Sequence, residues 1–251
     1  MPIDLNADLG EGFGVWRLGD DAGLLKVISS ANVACGFHAG DPITMRRICE
    51  QAVGNGVAIG AQVGYRDLAG FGRRRIDVDA AELSAEVLYQ LAALDGFARL
   101  AGDRVRYLKP HGALYNTAAD DAGQAEAIID AVAGYDPAIP VLGLPGSELA
   151  VAAGRRSITF VAEAFADRGY TARARLVPRG QAGALLTDTD DVTARGLAIA
   201  RGEPITTVDG GVVSLTARSI CLHGDTPGAV GLARALREAL LAARIAVQPF
   251  A

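Results

Sequence analysis

Short apolar runs of four or five residues alternate along this chain with longer segments in which apolar residues recur every three or four positions. The short runs, at 3–7, 31–34, 57–61, 105–108, 141–144, 159–162 and 219–222, predict buried strands. Three more runs, 173–177, 205–208 and 212–215, are less clearly patterned. Helical spacing appears at 20–28, 42–53, 79–101, 119–132, 147–153, 190–201 and 227–244. Within 42–53, Ile43, Ile48 and Ala52 share one side; within 227–244, Leu232, Leu236 and Leu240 form one stripe. The boundaries carry their own signals. Asp41-Pro42 reads as an N-cap followed by proline at the first helical position. Asp79 and Glu82 resemble a capping box, and Gly54-Asn55-Gly56 ends the second helix.

Strand and helix alternation of this kind predicts a parallel sheet. Seven or eight units without a break in composition predict a single α/β domain over 1–251, a TIM-like (β/α) barrel of seven or eight strands. In parallel folds the loops after the strand C-termini carry the chemistry, and the unusual residues of this chain lie there. The chain has three histidines, and each follows a strand-like run: Asn32-Val-Ala-Cys-Gly-Phe-His38, Val105-Arg-Tyr-Leu-Lys-Pro-His111 and Ser219-Ile-Cys-Leu-His223. Asp8, Glu11, Asp41, Lys109, Glu163, Asp167 and Asp225 occupy the same kind of position. Convergence at one barrel mouth would put acid, base and cation together, the parts that proton transfer needs.

Each of these residues also has a plainer reading. Asp41 caps a helix whatever else it does, Asp8 can be a turn residue, and a loop histidine can bind a backbone carbonyl. Glu163 and Asp167 can form a surface ion pair with Arg168, worth little. The run Arg73-Arg74-Arg75 is either solvated or meets an anionic substrate. Lys109 precedes Pro110, a candidate cis bond, and is expected to point inward.

Composition narrows the partners. A net charge of −5 and 6% aromatic residues argue against nucleic acid and an anionic membrane. No apolar run approaches the ~18 residues of a membrane span. The start Met1-Pro2-Ile3-Asp4 lacks a secretory pattern. Cys35, Cys49 and Cys221 form no C-x-x-C pair, which fits a reducing cytoplasm. There is no P-loop, no complete dinucleotide fingerprint and no G-x-S-x-G elbow. The histidines show no H-x-H or H-x-x-x-H spacing, so no metal ligand is assigned from sequence.

Six stretches in order, Asp4-Leu-Asn-Ala-Asp-Leu-Gly-Glu11, Asn32 to Asp41, Gly70-Phe-Gly-Arg-Arg74, Lys109-Pro-His-Gly-Ala-Leu-Tyr-Asn116, Glu163-Ala-Phe-Ala-Asp-Arg168 and Cys221 to Ala229, closely resemble the LamB/YcsF family of 5-oxoprolinase (ATP-hydrolysing) A subunits. The resemblance implies a barrel of the glycoside hydrolase/deacetylase type. It also implies opening of 5-oxoproline (pyroglutamate) to L-glutamate with ATP, in the company of subunits B and C that would handle the nucleotide. On that reading, the groups that follow the strand-like runs supply the candidate catalytic residues Asp8, His38, Lys109, His111, Glu163 and His223. Asn6, Glu11, Asp41, Arg73, Asp167, Arg168 and Asp225 are the candidate substrate contacts. His111 or Asp8 would activate water, Lys109 with an arginine of 73–75 would hold a phosphate or oxyanion, and His38 or His223 would protonate the ring nitrogen. One departure is visible: the family usually reads Gly-Ala-His-Pro where this chain has Gly60-Ala-Gln62-Val63. Two alternatives stay open: a metal-dependent deacetylase-like hydrolase, from the barrel type alone, and a non-catalytic assembly role.

Overall fold

The computed structural model describes residues 2–226 and 228–251. The strands are β1 (Asp4–Leu9), β2 (Ser30–Ala34), β3 (Ala58–Val63), β4 (Tyr107–Pro110), β5 (Val141–Gly143), β6 (Phe160–Phe165), β7 (Ile205–Thr206), β8 (Val212–Val213) and β9 (Ser219–Leu222). The helices are α1 (Asp21–Leu24), α2 (Pro42–Asn55), α3 (Ala80–Leu100), α4 (Gly112–Asp120), α5 (Ala122–Tyr135), α6 (Glu148–Arg155), α7 (Thr189–Arg201) and α8 (Ala229–Ala242). Strands β1 to β6 and β9 close into a parallel barrel, β9 pairing with both β6 and β1. The barrel therefore has seven strands. The eighth candidates do not join it: β7 and β8 form a separate antiparallel pair, and 173–177 is irregular apart from an isolated bridge from Tyr170 to Leu176.

The single helix expected at 119–132 is two. Helix α4 begins at Gly112, straight after β4, and Asp121 in extended conformation stops it. The Asp121 side chain then accepts from the Gln124 N–H and caps α5. Asp41 caps α2 as expected, accepting from Ile43 N and Thr44 N. Pro227, read as the start of the last helix, lies outside the described residues; α8 begins at Ala229. The Lys109–Pro110 bond is trans, since no described peptide bond is cis. No described helix is long and apolar enough to cross a membrane.

Strand β1 shows how the sequence builds the interior. Its alternation Asp4-Leu-Asn-Ala-Asp-Leu9 is buried on both faces. Leu5, Ala7 and Leu9 join the apolar layer under the helices, whereas Asp4, Asn6 and Asp8 meet side chains from across the barrel. The interior is thus a hydrogen-bonded column rather than stacked aliphatic layers. At its lower end Asp4 accepts from Ser29 (2.7 Å), Ser30 (2.6 Å) and Ser219. Above it Tyr107 crosses the barrel to donate to Asn32 Oδ1 at 2.6 Å. Gly60 permits that crossing: a Cβ there would lie 2.1 Å from the Tyr107 ring. Phe250 packs below Tyr107, with ring centroids 4.9 Å apart.

Burial pushes the Asp4 carboxyl up to about 6, against the pull of the serine hydroxyls. Between its unfolded value of 3.8 and this one, the folded state holds a proton that the unfolded state releases. Asp4 therefore stabilises fully below the unfolded value, and that contribution is lost as pH rises through the folded one. The shift corresponds to roughly 3 kcal/mol. In urea unfolding at about pH 4.5 and 7.5, a window that begins above the unfolded value, the fall in stability with rising pH should be smaller by about 2 kcal/mol in Asp4→Asn. An equal fall in both proteins would exclude Asp4 as its source.

Candidate active site

The upper end of the column opens at the strand C-termini, where Lys109 is its centre. The ammonium lies 2.8 Å from Glu163 and 3.4 Å from Asp8, all three side chains being almost wholly buried. Glu163 also accepts from Asn6 (2.9 Å) and from the Tyr115 hydroxyl (2.9 Å). Asp8 accepts from Asn32 at 2.8 Å. Burial works against the Lys109 charge, but Asp8, Cys221 and Glu163 hold its proton well above the usual lysine range. Burial also raises the carboxylates. Lys109 and His223 nevertheless hold Asp8 below its ordinary value, while Glu163, the more enclosed, stays raised. Lys109 is therefore a fixed cation in a site of low dielectric constant, where a charge acts more strongly than in water.

The second unit is His223 with Asp167. The Asp167 carboxylate accepts from the His223 backbone N–H at 2.9 Å and lies 3.0 Å from ring Nδ1. This contact fixes the ring and directs Nε2 away from Asp167, the arrangement of an oriented acid–base histidine. Phe165 stacks on the ring at 5.2 Å. Despite burial, the pull of the His223 ring and backbone keeps Asp167 below its ordinary value.

A cavity of about 440 Å³ lies above these groups. Its floor includes Asp8, Lys109, His111 and His223, and its walls and rim bring Arg73, Arg75, Arg168, Arg175 and Arg179. Asp225 bridges two of them, 2.6 Å from Arg73 and 3.8 Å from Arg179. Arg75 pairs with Asp121 at 3.3 Å and Arg74 with Asp67. The whole arginine run is thus ion-paired, with Arg73 and Arg75 facing the cavity.

On one side of the cavity, His38 and His111 stack at 3.9 Å with planes 14° apart. His38 Nε2 lies 3.2 Å from Gln62 Oε1, and His111 Nε2 lies 3.7 Å from Glu11. Burial drives His38 down to about 4 and His111 well below the usual histidine range, so both are neutral at pH 7. Burial, then Asp8 and Asp225, push Glu11 well above its ordinary value.

Of the residues singled out from sequence, Asp8, Glu11, His38, Lys109, His111, Glu163, Asp167, His223, Arg73 and Asp225 converge at this mouth. Four do not offer the substrate contact expected of them: the Asp167 carboxylate is taken up by His223, and Asp41, Asn6 and Arg168 are committed elsewhere. Both oxygens of Asp41 are taken by Ile43, Thr44 and Gly14. Asn6 lies one layer below the cavity, donating to Glu163 and Ser219 and accepting from Asn32. Arg168, although it borders the cavity, donates to the carbonyls of Ala184 and Val177 and pins the loop after β6. The surface ion pair of Arg168 with Glu163 and Asp167 does not form, because both carboxylates are buried against Lys109 and His223. Sequence reasoning missed Tyr115, Phe165, Arg175 and Arg179. Tyr115 follows His111 by one helical turn, a spacing that could have revealed it; the arginines lie in irregular chain with no local pattern.

The model of the LamB/YcsF family matches residues 3–251. The chain is 59% identical over 249 residues to a Streptomyces avermitilis protein named as the A subunit of 5-oxoprolinase, covering 99% of this chain and all of that one. It superposes on the crystal structure of a lactam utilization protein from Thermus thermophilus with a TM-score of 0.94 and 40% identity, over the full length of both. A family 4 carbohydrate esterase from Streptomyces lividans shares the barrel type, with a TM-score of 0.51 and 12% identity over 100% of this chain and 93% of that one.

Proposed function

The chain belongs to the LamB/YcsF family, and from that premise we propose that it is the ring-opening component of an ATP-dependent 5-oxoprolinase, acting with partner subunits B and C on 5-oxoproline. The observation that carries this reading is the convergence of a buried, protonated Lys109 and an oriented His223–Asp167 pair on a small arginine-rimmed cavity. A lactam bearing a carboxylate is small, polar and anionic, as such a cavity requires. The name of the Streptomyces relative supports the substrate and the existence of further subunits.

An unactivated lactam is a poor electrophile. In this reading the partner subunits use ATP to phosphorylate the lactam oxygen, which accords with the absence of a P-loop in this chain. Water then attacks the ring carbon. His223 takes the water proton at Nε2 while Asp167 holds Nδ1. The same imidazolium returns a proton to the ring nitrogen as the C–N bond breaks, leaving an acyl phosphate; a second water then attacks the same carbon and displaces phosphate, giving the carboxylate of glutamate. Lys109 stabilises the negative charge that develops on the oxygens. The base role thus moves from His111 or Asp8 to His223, because His223 alone has a carboxylate holding its ring while Asp8 is committed to Lys109 and Asn32. With ATP as co-substrate, the complex belongs in the cytoplasm.

The test is glutamate release from 5-oxoproline and ATP by this chain alone, by the partner subunits alone and by the mixture. Release from the mixture only is the expected outcome. Release from the partners alone at the same rate would reduce this chain to an assembly role. ATP hydrolysis without glutamate from any combination would remove 5-oxoproline as the substrate.

A further inference from the structure

Most polar groups in the barrel interior have partners; one cluster does not. Glu11 is only 6% exposed, and its one basic neighbour within salt-bridge distance among the described residues is His111 Nε2 at 3.7 Å, too long for a hydrogen bond. Neither ring nitrogen of His111 has a hydrogen-bond partner among the described residues, and its Nδ1 is fully buried. His38 Nδ1 and Gln62 Nε2 are likewise buried and unpartnered. Leaving one such atom unsatisfied is costly, and a buried carboxylate without a cation is more so. Four adjacent side chains in that condition identify a place built to receive a cationic or Lewis-acidic species.

The donor set says which kind. One ligand atom each from Glu11, His38 and His111 lies within 4.8 Å of the others. We propose that Glu11, His38 and His111 form a binding site for one divalent first-row transition-metal ion of the zinc and manganese class. Two imidazoles and one carboxylate are standard donors for such ions and leave coordination positions open for water or a substrate oxygen. Ligands held about 2.0–2.2 Å from zinc stand about 3.3–3.5 Å apart at tetrahedral angles, so the triad would close around an ion by at most about 1.5 Å. The surroundings hold the rings in place for this. A Cβ on Gly64 would lie 2.6 Å from His38 Nδ1, and one on Gly72 would lie 2.7 Å from His38 Cβ and 3.0 Å from His111 Nδ1. These two glycines let the backbone pack directly on the imidazole pair. Gln62 places its amide oxygen beside His38 Nε2, where it offers a further oxygen donor. Lys109 is committed to Asp8 and Glu163, and Arg73, the arginine whose charge reaches Glu11, is paired with Asp225 at 2.6 Å, so neither gives Glu11 a direct partner.

The inference concerns ion binding by this chain alone and does not depend on the ring-opening reading. The full chain is stripped with chelator and titrated with ZnCl₂ and MnCl₂ by calorimetry. Bound metal is counted by mass spectrometry after desalting, and CoCl₂ is titrated by visible absorption. The expected result is saturable binding of one ion per chain, a higher melting temperature with metal, and a visible cobalt band from nitrogen and oxygen donors. Glu11→Gln and His111→Gln should each weaken binding by more than about 100-fold, because loss of even an outer-shell partner costs 10–100-fold. Both variants replace an unpaired polar group with a neutral amide, so their metal-free melting temperatures should match or exceed that of the parent. His223→Gln, which leaves the triad intact, should keep the ion. Absence of saturable binding in the parent, or equal affinity in the parent, Glu11→Gln and His111→Gln, would overturn the site.

Discussion

Replacing Lys109 with methionine is expected to destabilise the barrel by about 3–5 kcal/mol, the cost of removing one partner from a buried ionic group, and to abolish ring opening. Methionine fits the volume, so the loss comes from charge rather than from a cavity. Without the ammonium, Asp8 and Glu163 face each other in the interior with only Asn6, Asn32 and Tyr115 to satisfy them. Two carboxylates so placed do not both stay ionised; at least one takes up a proton, and its folded-state value rises above its unfolded one. A raised carboxyl stabilises the fold at low pH, and that contribution is lost as pH rises through the folded value. The deficit of Lys109→Met relative to the parent should therefore be largest near pH 8 and smaller near pH 5, measured by urea unfolding. Adding Glu163→Gln to Lys109→Met should recover part of the stability, because one of the two uncompensated charges is gone, while activity stays lost. A deficit independent of pH, with no recovery in the double variant, would mean that Lys109 acts through packing rather than as the shared cation.

Substituting His223 by glutamine is expected to lower the turnover of glutamate release by about 10²–10⁴-fold, the range for loss of a general acid–base group. KM should change little, since the anion-binding arginines of the cavity remain in place. Asp167→Asn acts on the same ring at one remove. It leaves an acceptor for the His223 backbone N–H but withdraws the negative charge that orients Nδ1. It should therefore reduce turnover as well, and the pair of substitutions should cost little more than His223→Gln alone, because the two residues work as one unit. ATP consumption by the complete complex, followed in parallel, separates the outcomes. Continued ATP hydrolysis with lost glutamate locates the defect in ring opening, whereas a rise in KM at constant turnover would reduce His223 to a binding residue.

Much of the barrel was legible along the chain. Buried runs punctuated by N-caps such as Asp41 and Asp79 are local signals, and the structure bears them out at Ile43, Thr44 and Ala81. The clustering of charged residues after strands was equally local, because in a parallel barrel every strand C-terminus faces the same end. The alternation Asp4-Leu-Asn-Ala-Asp-Leu9 also contained the polar interior, although it reads as an ordinary buried strand until both faces are seen to be covered. Local pattern misjudged the 119–132 segment for a definable reason: Asp121 breaks an otherwise helical alanine-rich stretch by capping the next helix with its own side chain.

By itself, then, the sequence determined the alternation of elements, their capped boundaries and the set of groups delivered to one rim, since each depends on residues a few positions apart. The tertiary structure decided the rest. Closure of β9 onto β1 and β6 limits the barrel to seven strands and sets Lys109 against Glu163, 54 positions later in the chain. The same closure orients His223 on Asp167, 56 positions earlier, and gathers Glu11, His38 and His111 from three separate strand ends into one unsatisfied group. No spacing rule encodes these pairings, because register and closure follow from packing the whole apolar layer between sheet and helices, a constraint that no short segment carries alone.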